Sequence, residues 1–283
     1  MKKLSLMSLI LILSATHFVH AAAPMISVMP STIIQGDPVM VTIDSDSSLT
    51  DLSFDGTHVP VFIYKGTPHA LIAIDIHAKV GVHELKATFA NGKSVTQSII
   101  VNERKKIEAP LGIPAQLGGN TPAAAKALVT NLATANTTLA SIRTGTHAFW
   151  TKSFVAPLAS LTVTDPYGYN RETGEYTIAH KGTDFRAPTG TKVMAMNRGV
   201  VRVARTLGVY GKTIVVDHGF GLQTLYMHLS KIYVNEGELV QPGEVMGLSG
   251  MTGDALAPHL HLSVKIGGVS IDPVTFMAFF GIK

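Results

Sequence analysis

Hydrophobic and polar residues follow three different rhythms along the chain. From Ile26 to Val101 the rhythm has period two in short runs. Val39, Val41 and Ile43 alternate with other residues in "VMVTI", and "VPVFIY", "ALIAIDI", "VHELKATF" and "SVTQSIIV" follow. Turn clusters such as "DSDSS", "DGT", "KGTP" and "KVG" separate them, and "NGK" at 91–93 marks a tight hairpin. Six or seven closely spaced strands predict an immunoglobulin-like β-sandwich over 24–102. From Thr121 the period becomes helical. Thr121-Pro122 supplies an N-cap and a proline at the first helical position, and Leu128, Leu132, Ala135, Leu139 and Ile142 recur at 4-3-4-3 spacing up to Thr144-Gly145. This narrow stripe predicts a connector helix that packs on a neighbouring domain, or one that covers an active-site groove. The stretch 103–150 thus reads as a linker ("NERKKIEAPLGIPAQLGGN") followed by that helix. Over 151–283 the strand rhythm returns in "TKVMAM", "GVVRVAR", "KTIVVDH", "LQTLYMHL" and "HLHLSVKI", closing on a helical "PVTFMAFF". The predicted class is mainly β: a sandwich, a helical connector and a second antiparallel β domain.

The first 21 residues stand outside these rhythms. Lys2 and Lys3 precede an apolar run from Leu4 to Ala15, and Val19-His20-Ala21 fits a small-residue cleavage site. This reads as a secretory signal peptide, with export to the periplasm or beyond and no stable membrane anchor after cleavage. The chain contains no cysteine, which excludes disulfides, a lipidated cysteine and any thiolate zinc site. The formal charge of +4 falls to +2 once Lys2 and Lys3 are removed (21 Lys+Arg against 19 Asp+Glu). That charge is too small to argue for nucleic acid as a partner.

Chemistry concentrates in the second β domain. In "HKGTDF", His180 and Asp184 are four apart around a glycine that lets the chain bend. In "HLHL", His259 and His261 share one face of a strand while Leu260 and Leu262 point to a core. Two imidazoles and a carboxylate, with further histidines to spare, have the composition of a catalytic zinc site that leaves one position open. His58, His69, His77 and His83 of the sandwich are scattered at strand ends and read as surface or packing residues. His218 reads as a hydrogen-bonding turn residue, and nothing marks His147 or Trp150 as functional.

Taken in order, "AHKGTDFRAPTGTKVMAMNRGVV", "YGKTIVVDHGFGLQTLYMHLS", "VNEGELVQPGEVMGLSGMTG" and "PHLHLSV" resemble the LytM/lysostaphin-type zinc metallopeptidases. The resemblance spans about Phe154 to Pro273. It implies one Zn²⁺ per chain held by His180, Asp184 and His261, with His228 of "YMHLS" and His259 as the catalytic histidines beside the activated water. Tyr176 is implied as an oxyanion stabiliser. The implied substrate is the peptide part of bacterial peptidoglycan, with hydrolysis of D,D cross-links. Related readings are a LytM-like activator of a murein amidase, which leaves room for a regulatory protein partner, and a secreted bacteriolytic enzyme cutting glycine-rich bridges. Four positions depart from the family pattern. Asn170 stands where an arginine is usual, with Arg171 next to it. Asp254 and Ala257 replace an arginine and a glycine before "HLH", and Ser263 replaces an acidic residue after it. These departures place bond specificity in the loops around the site.

Overall fold

The computed structural model describes residues 23–150 and 152–283; the leader segment read as a signal peptide lies outside the described residues. The structure is mainly β, as the rhythm predicts. In the first domain, a four-stranded sheet (Met25–Met29, Pro38–Asp44, Thr67–Ala73, Val61–Tyr64) faces a five-stranded one. The alternating Val39, Val41 and Ile43 turn inward against Leu52, Leu85, Phe89 and Val101, which form one buried cluster. Burying these side chains is the main stabilising term, roughly 1.5–3 kcal/mol for each large one. The "NGK" hairpin is present: Thr88 pairs with Ser94, Gly92 has φ +78°, and the Asn91 side chain accepts from the Lys93 N–H at 3.0 Å.

The second domain is built on an eight-stranded antiparallel sheet. Its central strands are Thr183–Arg186, His259–Ile266, Leu222–Leu229, Lys212–Gly219 and Gly199–Thr206, in that spatial order. Alternation gives this sheet two unlike faces. Leu260, Leu262, Val264, Ile214, Val216 and Tyr226 point into a core shared with a three-stranded sheet that includes Met246. Val203, Val215, Leu225 and Met227 point to the opposite face.

The connector helix, α1 (Pro122–Ala140), lies on that second face. Thr121 Oγ1 caps it by accepting from Ala124 N–H at 3.3 Å. Leu139 packs onto Val203, Val215, Leu225 and Met227, and Leu128 packs with Ile113 and Val209. Ile142 falls beyond the helix, which ends at Ala140 with Ser141 as its cap. On the solvent side Thr130, Thr134 and Thr137 donate to carbonyls one turn back, at 3.0–3.1 Å. These bonds satisfy the hydroxyls of a threonine-rich helix without capturing its backbone N–H groups.

The stretch read as linker does more than connect. Glu108–Pro110 pairs in parallel with Asn170–Thr173, which is hairpin-paired with Tyr176–Ala179. Arg104 clasps the two domains, reaching Asp37 Oδ1 at 3.0 Å and Asp272 Oδ2 at 3.3 Å over the face of Tyr167. Phe62 of the first domain packs edge-on against Trp150, and both belong to the large core cluster of the second domain.

Candidate metal centre

The metal centre forms where two strands and one hairpin end meet on the open face of the large sheet. Asp184 and His261 are directly paired across neighbouring antiparallel strands, so their side chains leave on the same side. His180 follows the Tyr176–Ala179 strand, held by His180 N–H to Tyr169 O at 2.7 Å and Gly168 N–H to His180 O at 2.8 Å. Gly182 lies between. Its backbone is not in the left-handed region, so the bend expected of it is not what requires glycine. Space is the reason: a Cβ there would strike the His261 imidazole and lie 2.6 Å from the Leu262 carbonyl oxygen.

Three atoms converge. His180 Nε2 lies 3.1 Å from His261 Nδ1 and 3.2 Å from Asp184 Oδ1, and His261 Nδ1 lies 2.7 Å from Asp184 Oδ1. All three residues are buried. The tautomers follow from the far side of each ring. His180 Nδ1 donates to Pro166 O at 2.8 Å, which leaves Nε2 with a lone pair. Ser263 Oγ donates to Lys181 O at 2.8 Å, so it accepts from His261 Nε2–H at 2.9 Å, leaving Nδ1 with a lone pair. Two imidazole lone pairs and a carboxylate oxygen then face one another with no proton between them. That arrangement is repulsive by itself and suits a cation bound by N and O atoms, with separations near the edges of a zinc coordination tetrahedron. The other oxygen, Asp184 Oδ2, is held at 2.7 Å by Arg171 Nη2, which also pairs with Asp165.

Electrostatics keep these groups in ligand form. Burial alone would raise the Asp184 carboxyl; positive charge on its facing side, carried by a proton on His180 or His261 or by a bound cation in its place, holds it well below the carboxylate range. Burial pushes His261 down to about 4, against the pull of Asp184. His228 and His259 lie next to the His-Asp-His group. His228 and His259 rings stand 4.8 Å apart, and His228 is 6.0 Å from the His261 ring. His259 Nε2 is 3.7 Å from Asp184 Oδ1. Each donates its Nδ1–H to a backbone carbonyl at 2.8 Å, His228 to Thr252 and His259 to Ala257, so each leaves Nε2 as an acceptor. Burial, with the neighbouring imidazoles, pushes His228 down to about 3.

His228 reaches this face by breaking the strand's alternation. Leu222 and Tyr226 face the core, so strict period two would bury His228 there as well. Between Tyr226 and Leu229 the strand carries one residue more than its partner between Ile214 and Lys212, and His228 takes φ +60°. A bulge with a non-glycine residue in the left-handed region re-aims the side chain.

Tyr176 begins the strand leading to His180. Its ring packs on the cluster beneath α1, and local desolvation, with the phenol's hydrogen bond to Glu175, raises its pKa. His218 lies elsewhere, fully buried, with its ring nitrogens 2.9 Å from Arg198 O and Thr224 Oγ1. Arg171, Ser263 and the three carbonyls were not marked as site residues by sequence. Ser263 was findable: it sits two positions past His261 on the same face. Arg171 was visible only as a departure beside Asn170, and its role depends on the hairpin that brings it to Asp184. The site opens into a cavity of about 670 Å³, lined by His180, His228 and His261 on one side and by Leu128, Leu132 and Asn136 of α1 on the other.

Residues 178–273 match the family model Peptidase family M23. Over 122 residues the chain is 38% identical to the DD-carboxypeptidase/endopeptidase Mpg of Neisseria meningitidis, covering 43% of this chain and 28% of that protein. It is 44% identical over 89 residues to the peptidoglycan DD-endopeptidase ShyA of Vibrio cholerae, covering 31% of this chain and 21% of the relative. The chain therefore spans about a quarter of the length of these relatives. A crystal structure of a candidate M23 peptidase from Pseudomonas aeruginosa superposes with a TM-score of 0.63 at 25% identity, over 87% of this chain and 95% of that one. The segment that matches Peptidase family M23 contains the convergent His-Asp-His group, which could hold a metal ion.

Proposed function

We propose that the protein is a zinc-dependent D,D-endopeptidase that hydrolyses peptide cross-links of bacterial peptidoglycan. The convergence of His180 Nε2, Asp184 Oδ1 and His261 Nδ1, with two acceptor nitrogens alongside, carries this reading. Bound there, zinc supplies Lewis acidity and a water of lowered pKa. The chain's own residues do the rest. Pro166 O and the Ser263–Lys181 relay hold the ligand tautomers, and Arg171 holds Asp184 to one free oxygen. Nε2 of His228 and of His259 are the atoms placed to take a proton from the nucleophile and to steady the developing oxyanion. Tyr176, whose phenol is bound to Glu175, would act as a further oxyanion donor only on releasing that bond. Cross-link specificity is supported by the names of the relatives, Mpg and ShyA, whose similarity covers this domain. Export to the periplasm, or secretion, belongs to the same reading, since that is where the substrate lies.

Access to the site is narrowed by α1. The helix occupies the apolar half of the metal-bearing face, tied down by Tyr210 Oη to Asn136 Oδ1 at 2.8 Å. The reading includes restraint of activity by this helix. The specificity test uses purified dimers: one joined by D-alanine to diaminopimelate, one by a glycine bridge. Cleavage of the first alone is expected. Cleavage of the glycine-bridged dimer alone would replace the D,D assignment, and cleavage of neither would remove the function.

A further inference from the structure

The strand that carries the metal histidines continues its polar row. His259, His261, Ser263 and Lys265 leave on one face while Leu260, Leu262, Val264 and Ile266 enter the core. Lys265 thus stands four residues, roughly 13 Å, along the groove from His261. It lines the same cavity as His180 and His261, together with Lys181, the residue after His180. Lys265 is half-buried, and Lys181 is the charged group that acts on it. Burial, reinforced by the Lys181 charge, pulls its pKa down. Among the described residues neither ammonium has a carboxylate within ion-pair distance. Of the other charges of this cavity, Asp254 is partly buried and its carboxyl is raised by that burial, while two are engaged elsewhere. Arg171 is committed to Asp165 and Asp184. Asp75, from the first domain, accepts from the His77 backbone N–H at 2.8 Å. A partly desolvated lysine that stands beside a like charge without a carboxylate partner, as Lys265 does, is rare unless it serves an anion.

We propose that Lys265 and Lys181 form a carboxylate-binding end of the groove, which takes a free carboxylate of the substrate peptide. The spacing sets the ligand. An extended peptide advances about 3.3–3.6 Å per residue, so the carboxylate lies some three to four residues' length from the scissile bond. Peptide stems with free acidic groups fit this site; amidated stems leave both lysines unpaired. The inference rests on the proposed peptidase reading, and its test separates the two.

The zinc-loaded full chain is titrated calorimetrically with a tetrapeptide stem, once as the free acid and once with its carboxylates converted to carboxamides. The corresponding cross-linked dimers are followed by chromatography. The wild type is expected to bind the acid about five- to tenfold more tightly than the amide, the effect of one partly screened charge-assisted pair. Lys265→Gln removes that preference by weakening the acid alone, and Lys265→Arg keeps it. Lys181→Gln, at an exposed position, reduces the preference and guards against a folding defect at Lys265. Equal binding of acid and amide by the wild type, or equal weakening of both by Lys265→Gln, overturns the carboxylate site. A preserved acid preference without cleavage of any dimer leaves the site standing and removes the peptidase reading. Cleavage of both dimers without preference does the reverse.

Discussion

Histidines are nearly as frequent in the sandwich as in the peptidase domain, yet the two sets are used in opposite ways. In the sandwich, His58 and His83 each meet one aspartate, Asp51 at 2.7 Å and Asp55 at 2.6 Å, at the protein surface. His83 also stacks on Phe54, and its second nitrogen lies 2.7 Å from Lys79 O. Every such ring ends on ordinary local partners. In the peptidase domain, four rings from three chain segments turn toward one point, each anchored through its outer nitrogen and leaving the inner one free. A metal site is therefore distinguished by where the lone pairs point, more than by how many histidines a region holds.

Substitutions that exchange the two behaviours test this contrast. The largest effect is expected from His261→Ala, which removes one of three ligands: cross-link hydrolysis falls by about a thousandfold or more. His83→Ala in the sandwich leaves hydrolysis at the wild-type rate, and a comparable loss there would break the comparison. Next comes the support of the ligand. Ser263→Ala leaves His261 Nε2 without its acceptor and is expected to weaken zinc binding about 10- to 100-fold. Excess zinc restores its activity, as followed by competition with a chromophoric chelator. Unchanged affinity would show that the tautomer is not fixed through Ser263. A smaller effect, a two- to fivefold rise in kcat/KM, is expected from Asn136→Ala, which frees α1 from Tyr210, by analogy with lid opening that limits turnover. An unchanged or lower rate counts against restraint by the helix.

The smallest expected effect concerns the clasp between the domains. Asp37 is pushed up to about 6 by burial, against the Ile34 N–H and the Arg104 guanidinium. Asp272, on the other side of Arg104, is raised by burial too. A carboxyl raised in the folded state holds more protons there than in the unfolded chain between about pH 4 and 6. Stability accordingly falls as pH rises through that window. Thermal melts at pH 4 and 6.5 are expected to show a slope that Asp37→Asn flattens, by a few degrees at most. Parallel slopes for the two proteins would contradict the assignment.

Much of this was legible in the sequence because it depends on local rhythm. The alternation of "HLHLSVKI" already separates a polar face from a core face, and the structure keeps it through Ile266. The capped stripe at Thr121 predicts α1, and "NGK" predicts its hairpin. What was hidden depends on partners distant in the chain. Nothing local to "YMHLS" announces the extra residue that swings His228 out of the core, since a bulge is defined only against the facing strand. Arg171 is placed by the hairpin that carries it to Asp184, across 13 residues. The stripe of α1 predicts an apolar contact but not which face receives it. That this face is the one with the His-Asp-His group follows from Leu225 and Met227, whose alternation reads equally well for either side.

The central claim, that the His180–Asp184–His261 centre hydrolyses peptidoglycan cross-links, is tested most directly by mass analysis of muropeptides from purified sacculi. The sacculi are treated with zinc-loaded wild-type protein, with chelated protein, and with His261→Ala. The account predicts that cross-linked dimers give way to monomers with the wild type alone. Dimers that persist under the wild type, or that disappear equally under His261→Ala, would contradict it.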